Sequence, residues 1–148
     1  MRGAHLGEEV AAMEQKEFTS FGYQRFIDEG KLMGSRCKGC GALNAPPRSL
    51  CWRCFGSDME WAELKGTGKL GAFTVIYVAP TAMVQKGYGR NRPYVSAVVE
   101  LDEGPRLAAQ LVGVDAAAPE KIKLGLPVRA EFEDAGDEGM RLVFRAQT

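Results

Sequence analysis

The chain has 148 residues, 45% of them hydrophobic and 26% charged, so it can bury a core of ordinary domain size and lacks the polar bias of a disordered chain. Nineteen basic side chains balance nineteen acidic ones, which removes the strong positive field of a protein that holds nucleic acid mainly through its phosphates. The longest apolar stretch, Gly71 to Val84, is broken by Pro80 and falls short of the roughly 20 residues needed to cross a bilayer.

Residues 1–17 read as a flexible N-terminal segment. They carry acids early and no continuous apolar run, which does not fit a secretory signal and leads us to expect a cytoplasmic protein. The single histidine of the chain, His5, falls in this segment, where a catalytic imidazole could not be held in position. Ser-His-Asp and Cys-His catalysis are therefore disfavoured.

Residues 18–34 are expected to hold a helix that docks on a partner. The helix itself reads from Phe18 to Gly30, with Thr19 or Ser20 as N-cap and Gly30 as the stop. Tyr23, Phe26 and Ile27 follow helical spacing, and Phe18 and Phe21 add a further aromatic pair. Such a face packs either on the rest of the chain or on another protein. Phe18, Phe21, Tyr23 and Phe26 are the candidates for the second role.

Residues 35–62 carry the sharpest signal. Cys37-Lys38-Gly39-Cys40 and Cys51-Trp52-Arg53-Cys54 are two C-x-x-C knuckles with ten residues between them, close to the spacing of four-cysteine zinc sites. Four thiolates complete a tetrahedron and leave no open position, so the expected ion is one structural zinc held by Cys37, Cys40, Cys51 and Cys54. Iron in a rubredoxin-like site uses the same ligand set. Two disulfides are the other arrangement, and a reducing compartment disfavours them. Pro46-Pro47 between the knuckles predicts an exposed, stiff, non-helical turn.

Residues 63–148 alternate in the manner of strands. Lys69–Ala79, Pro93–Leu101, Arg106–Val112, Pro127–Phe132 and Met140–Arg145 are five expected strands. Asp102-Glu103-Gly104-Pro105 is a turn, and Asp115 can cap a helical turn before Gly125. Five strands with a helical element after the third predict a small closed barrel of the OB type, with a β-sandwich fragment as the alternative. The expected fold is thus mainly β: an N-terminal helix, a rubredoxin-like four-cysteine zinc ribbon and a five-stranded OB barrel.

These motifs together resemble a known family. Arg36–Gly41 and Cys51–Cys54, followed by Gly68–Val75, Pro93–Leu101 and Leu124–Phe132, are similar to the zinc-ribbon plus OB-fold proteins of acyl-CoA metabolism. The resemblance covers about residues 18–145. It implies a noncatalytic small subunit of a thiolase-like enzyme, as in the aromatic-acyl-CoA (benzoylsuccinyl-CoA) thiolases, or of a hydratase or aldolase acting on an acyl-CoA thioester. It also implies a heterotetramer with two copies of each subunit and acyl-CoA in the complex. The residue content agrees, because four metal-bound cysteines leave no thiolase nucleophile.

Between Leu64 and Val99 the chain has five cations and no acid. Lys86, Arg90 and Arg92 lie in the loop Thr81–Pro93, which can approach the phosphates of CoA or an acidic patch on a partner; a solvated loop is the plain alternative. Glu131, Glu133, Asp134, Asp137 and Glu138 make the far end acidic, so a charge-separated molecule is expected. A single-stranded nucleic-acid module is disfavoured because the third strand has no aromatic to stack on a base. Membrane partners are not expected. An independent acyl-CoA enzyme using Tyr77, Tyr88 or Tyr94 has no paired acids to support it.

Overall fold

The computed structural model describes residues 18, 20–136 and 139–147. The N-terminal segment with His5, the Thr19 cap, Asp137 and Glu138 lie outside the described residues, as do the side chains of Ser20 and Phe21. The chain divides after Leu64 into two compact units.

The first unit opens with helix α1, Ser20–Asp28. Its end is set by Gly30 at φ 77°, where Gly30 N–H donates to Ile27 O and Lys31 N–H to Phe26 O, the paired bonds of a Schellman stop. A three-stranded antiparallel sheet follows: β1 Met33–Cys37 in the middle, flanked by β2 Leu43–Asn44 and β3 Met59–Glu63. Glycine is required at position 34 because a Cβ there would lie 2.5 Å from the Asn44 carbonyl oxygen on the neighbouring strand. None of these short strands was visible as a strand in the sequence.

Phe26 and Ile27 on α1 are buried to 2% and 1% exposure. The Phe26 ring packs 4.7 Å from Trp61 of β3, and Phe18 packs on Trp61 at the same distance. The helix therefore does bury an apolar face, but against its own sheet. This corrects the assignment of Phe26 to a partner interface.

The second unit is a closed barrel of β4 Thr67–Ile76, β5 Tyr94–Leu101, β6 Arg106–Val112, β7 Pro127–Asp134 and β8 Met140–Ala146. The order around the barrel is β4-β5-β6-β8-β7. All neighbours are antiparallel except β6 and β8, which are parallel. Closure returns β7 to β4 through Thr67↔Arg129, Gly68↔Val128 and Lys69↔Pro127. This is the five-stranded OB barrel, not a sandwich. Alternation along β5 places Val95, Ala97, Val99 and Leu101 inside, and Leu107, Leu111, Val128 and the consecutive pair Val143 and Phe144 are buried as well.

A short helix α2, Thr81–Val84, interrupts the β4–β5 connection that the sequence presented as plain loop. The β6–β7 connection holds a 3₁₀ turn, Pro119–Lys121, and Asp115 Oδ1 accepts from Ala117 N–H at 2.9 Å just before it. Among the described residues no helix is long and apolar enough to cross a membrane.

Truncating Phe26 removes a fully buried ring from a small core. Phe26→Ala is expected to destabilise the first unit by about 3–5 kcal/mol, measured by denaturant unfolding. A change near zero would return the ring to the surface.

Candidate functional site

The two knuckles are built alike. In each, the fifth residue closes the turn: Gly41 N–H donates to Cys37 O at 2.8 Å, and Phe55 N–H to Cys51 O at 3.0 Å. In each, the first cysteine donates onward, Cys37 N–H to Ala42 O and Cys51 N–H to Gly56 O, both at 2.9 Å. The fold brings the four sulfurs of Cys37, Cys40, Cys51 and Cys54 within 4.8 Å of one another. Cys37–Cys54 and Cys40–Cys51 are each 3.5 Å apart, close to the edge of about 3.8 Å for a tetrahedron with metal–sulfur bonds of about 2.3 Å.

Buried polar groups brace this geometry. Ser35, fully buried on β1, accepts from Arg48 N–H at 2.8 Å and donates through Oγ to Arg48 O at 3.0 Å. Asn44 on β2 accepts from Trp52 N–H through Oδ1 at 3.3 Å and donates to Ser35 O at 3.4 Å. The connector and the second knuckle are thereby pinned to the sheet. Pro46 is exposed as expected, but Pro47 is buried.

The electrostatics fit a cation. The Cys54 backbone N–H beside Cys51 is the main influence holding that thiol down at about 6. Cys37 is lowered as well, chiefly by the N–H of Cys40. For Cys54 the Gly56 N–H pulls downward, yet the neighbouring sulfurs of Cys37 and Cys40 outweigh it and raise the thiol to about 11. Four clustered thiolates repel one another until a cation neutralises them. A zinc or similar ion would be held by these four sulfurs and would supply cross-linking, with no position open for substrate.

The expected docking face is only partly available. Phe18 is half-buried against Trp61 and packs on the cysteine cluster. Tyr23 is half-buried, and burial pushes its hydroxyl up to about 12. The side chain of Phe21 lies outside the described residues.

Among the described residues the exposed large apolar side chains of the first unit sit instead at the second knuckle: Leu50 (54%), Trp52 (57%) and Phe55 (78%). Phe55 occupies φ 61°, where the first knuckle has Gly41 at φ 79°. A bulky residue there is strained by about 1–2 kcal/mol. Sequence reading passed over these residues, although aligning C-x-x-C-G on C-x-x-C-F exposes the missing glycine.

In the barrel, the β4–β5 loop folds over the end of the barrel and meets the β7–β8 end. Gln110 of β6, 9% exposed, donates to Tyr88 Oη at 3.1 Å. Arg141 of β8 donates to Gln110 Oε1 and to Glu133 of β7, and its Nη1 lies 3.7 Å from Met83 Sδ. Tyr88 meets Tyr94 edge-on at 5.4 Å, and the Arg92 guanidinium stacks 4.5 Å above the Tyr88 ring. Of the three loop cations, Arg92 is thus committed to packing, Lys86 lines a cavity of about 670 Å³, and Arg90 is exposed at the tip.

Gln85, Lys86, Tyr88, Glu133, Asp134 and Arg141 line that cavity. Two cations and two carboxylates therefore face it together. Within the barrel the acidic β7 end and the basic loop, far apart in sequence, thus meet at one cavity. Tyr94 is buried, so it offers no open face for a base.

Comparison with known proteins agrees with both units. The ChsH2 rubredoxin-like zinc ribbon domain matches residues 26–60, and the ChsH2 C-terminal OB-fold domain matches residues 61–133. The chain belongs to the ChsH2 (DUF35) family. A DUF35 domain-containing scaffold protein of Methanocaldococcus jannaschii is 36% identical over 113 residues, covering 74% of this chain and 74% of its own. A probable enoyl-CoA hydratase alpha subunit of Thermomonospora curvata is also 36% identical, over 78% of this chain but only 33% of that longer protein. A benzoylsuccinyl-CoA thiolase subunit, BbsA, of Geobacter metallireducens is 37% identical over 66% of this chain and 64% of its own. Among solved structures, an Ltp2-ChsH2(DUF35) aldolase aligns with a TM-score of 0.69 and 33% identity, covering 84% of this chain and 91% of that one.

Two outcomes are expected. Chelation of the metal, or Cys37→Ser, should abolish the fold of the first unit, whose metal is worth on the order of 10 kcal/mol in comparable sites; retention of its amide dispersion by NMR would refute a structural ion. Arg141→Met should release the loop, seen as faster limited proteolysis within residues 81–92 while the barrel persists.

Proposed function

We propose that this chain is a noncatalytic, zinc-containing partner subunit of an enzyme complex acting on an acyl-CoA thioester. The observation that carries the reading is the convergence of every cysteine of the chain on one point, 4.8 Å across, in a member of this family. One structural zinc there ties up the sulfur chemistry that a thiolase would need. Reaction chemistry then belongs to the partner, and this chain contributes a rigid surface that orders the partner's surroundings or its acyl-CoA pocket.

The relatives are named as subunits or parts of a hydratase, a thiolase and an aldolase. We favour the thiolase-like partner. BbsA supports it over a hydratase, because this chain spans 64% of that subunit and only 33% of the hydratase alpha subunit, while the aldolase structure, of which the chain covers 91%, supports an aldolase partner as the second reading. Arg90 and Lys86 remain the side chains of the barrel loop best placed to meet CoA phosphates or the partner, whereas Arg92 is engaged with Tyr88.

Co-purification from the native source with mass spectrometry should recover an acyl-CoA enzyme subunit, with native mass spectrometry reading two copies of each chain. The isolated chain should turn over no acyl-CoA thioester, and turnover by it alone would sink the reading. Neutralising Lys86 and Arg90 should raise the KM for the CoA substrate or weaken assembly, and unchanged kinetics would make the loop a spacer.

A further inference from the structure

From Lys31 to Ser57 the chain carries five cations, Lys31, Arg36, Lys38, Arg48 and Arg53, and no acid. Lys31 and Lys38 have carboxylates 3.9 Å away, on Glu29 and Asp58. Among the described residues no carboxylate lies within ion-pair distance of Arg48 or Arg53, and both are exposed. These two arginines are interleaved along the chain with Leu50, Trp52 and Phe55, the three exposed large apolar side chains at the second knuckle. The surface is held rigidly from below, through Ser35 on Arg48 and Asn44 on Trp52.

A side chain exposed to 78% gains little from burial within its own chain. At φ 61° it also occupies a backbone well that favours glycine, as its counterpart Gly41 shows. Strain and exposure at one ring point to a use outside the chain. Trp, Phe and Arg on a pre-ordered turn are the composition of an interface anchor, needing little ordering on association.

We propose that the second zinc knuckle is a docking knob, in which Trp52 and Phe55 enter an apolar pocket on the partner enzyme and Arg48 and Arg53 meet an acidic rim around it. The charge pattern selects this occupant, because Arg48 and Arg53 have no carboxylate within ion-pair distance among the described residues and are free to meet acids of a partner. The balance of nineteen basic and nineteen acidic side chains separates it from a nucleic-acid platform, which draws its ligand through a net positive field on the phosphates. This knob replaces the α1 face as the principal anchor, and it rests on the partner-subunit reading given above.

The test uses the full chain and the acyl-CoA enzyme subunit that co-purifies with it, produced recombinantly. Phe55→Gly restores the residue its backbone favours, so its thermal midpoint should stand at or above the wild type while affinity for the enzyme falls by at least about tenfold. Trp52→Ser should give a similar loss, and Arg48→Glu with Arg53→Glu should slow association and flatten its salt dependence. If the wild-type chain binds but Phe55→Gly and Trp52→Ser bind equally well, the knob is refuted and the subunit reading stands. If the wild-type chain binds no acyl-CoA enzyme, the subunit reading fails and the knob with it. Single-stranded DNA binding, or self-association of the chain, that is lost in Phe55→Gly would assign the surface to another occupant and overturn the proposal.

Discussion

Gathering four thiolates around one point is the constraint on which the first unit depends. One hydrophobic cluster of that unit consists of Cys37, Ala42, Cys51 and Met59, with Phe18 and Cys40 packed against it. Half of that buried cluster is metal-ligating sulfur, so this part of the core coincides with the metal site, while Phe26, Ile27, Leu32 and Met33 are buried outside it. A sheet whose edge strand has two residues cannot stand on its apolar burial alone. The crowding of sulfurs that raises Cys54 to about 11, through hydrogen bonds to Cys37 and Cys40, is the same crowding that a bound cation would stabilise. Ligation takes deprotonated thiols, so affinity for the ion falls as the pH drops.

Ser35 and Asn44 extend the influence of that centre to the surface. Each is buried and each binds backbone of the connector or knuckle. Buried polar groups with satisfied partners fix one arrangement where a purely apolar contact would tolerate several. The second knuckle is consequently a rigid support for exposed side chains, and its apolar tip has the properties of an anchor more than those of a flexible loop.

The barrel follows a different logic. Closure removes every sheet edge, and the strand order brings the β4–β5 and β7–β8 connections to one end. There Arg141 ties Gln110, Glu133 and Met83 into one network. Opposite charges that lie far apart along the chain line one cavity of about 670 Å³. A recognition surface at this end is therefore one of mixed charge and shape, with Arg90 as its exposed cation.

Much of this was legible in the residues themselves. The C-x-x-C spacing encodes a local turn, and local turns need no tertiary context, so the metal ligands could be read directly. Period-two alternation and turn residues likewise located the five barrel strands to within a few residues, because closure buries one face of each. The sequence could not say which aromatic rings are covered. Phe26 and Phe55 are equally apolar, and only the packing of α1 on β3 buries the first while the knuckle turn leaves the second in water. Nor could linear order reveal that Lys86 and Glu133 share a cavity. Burial and charge pairing are properties of surfaces brought together by long-range closure, and they exist only once the chain has folded.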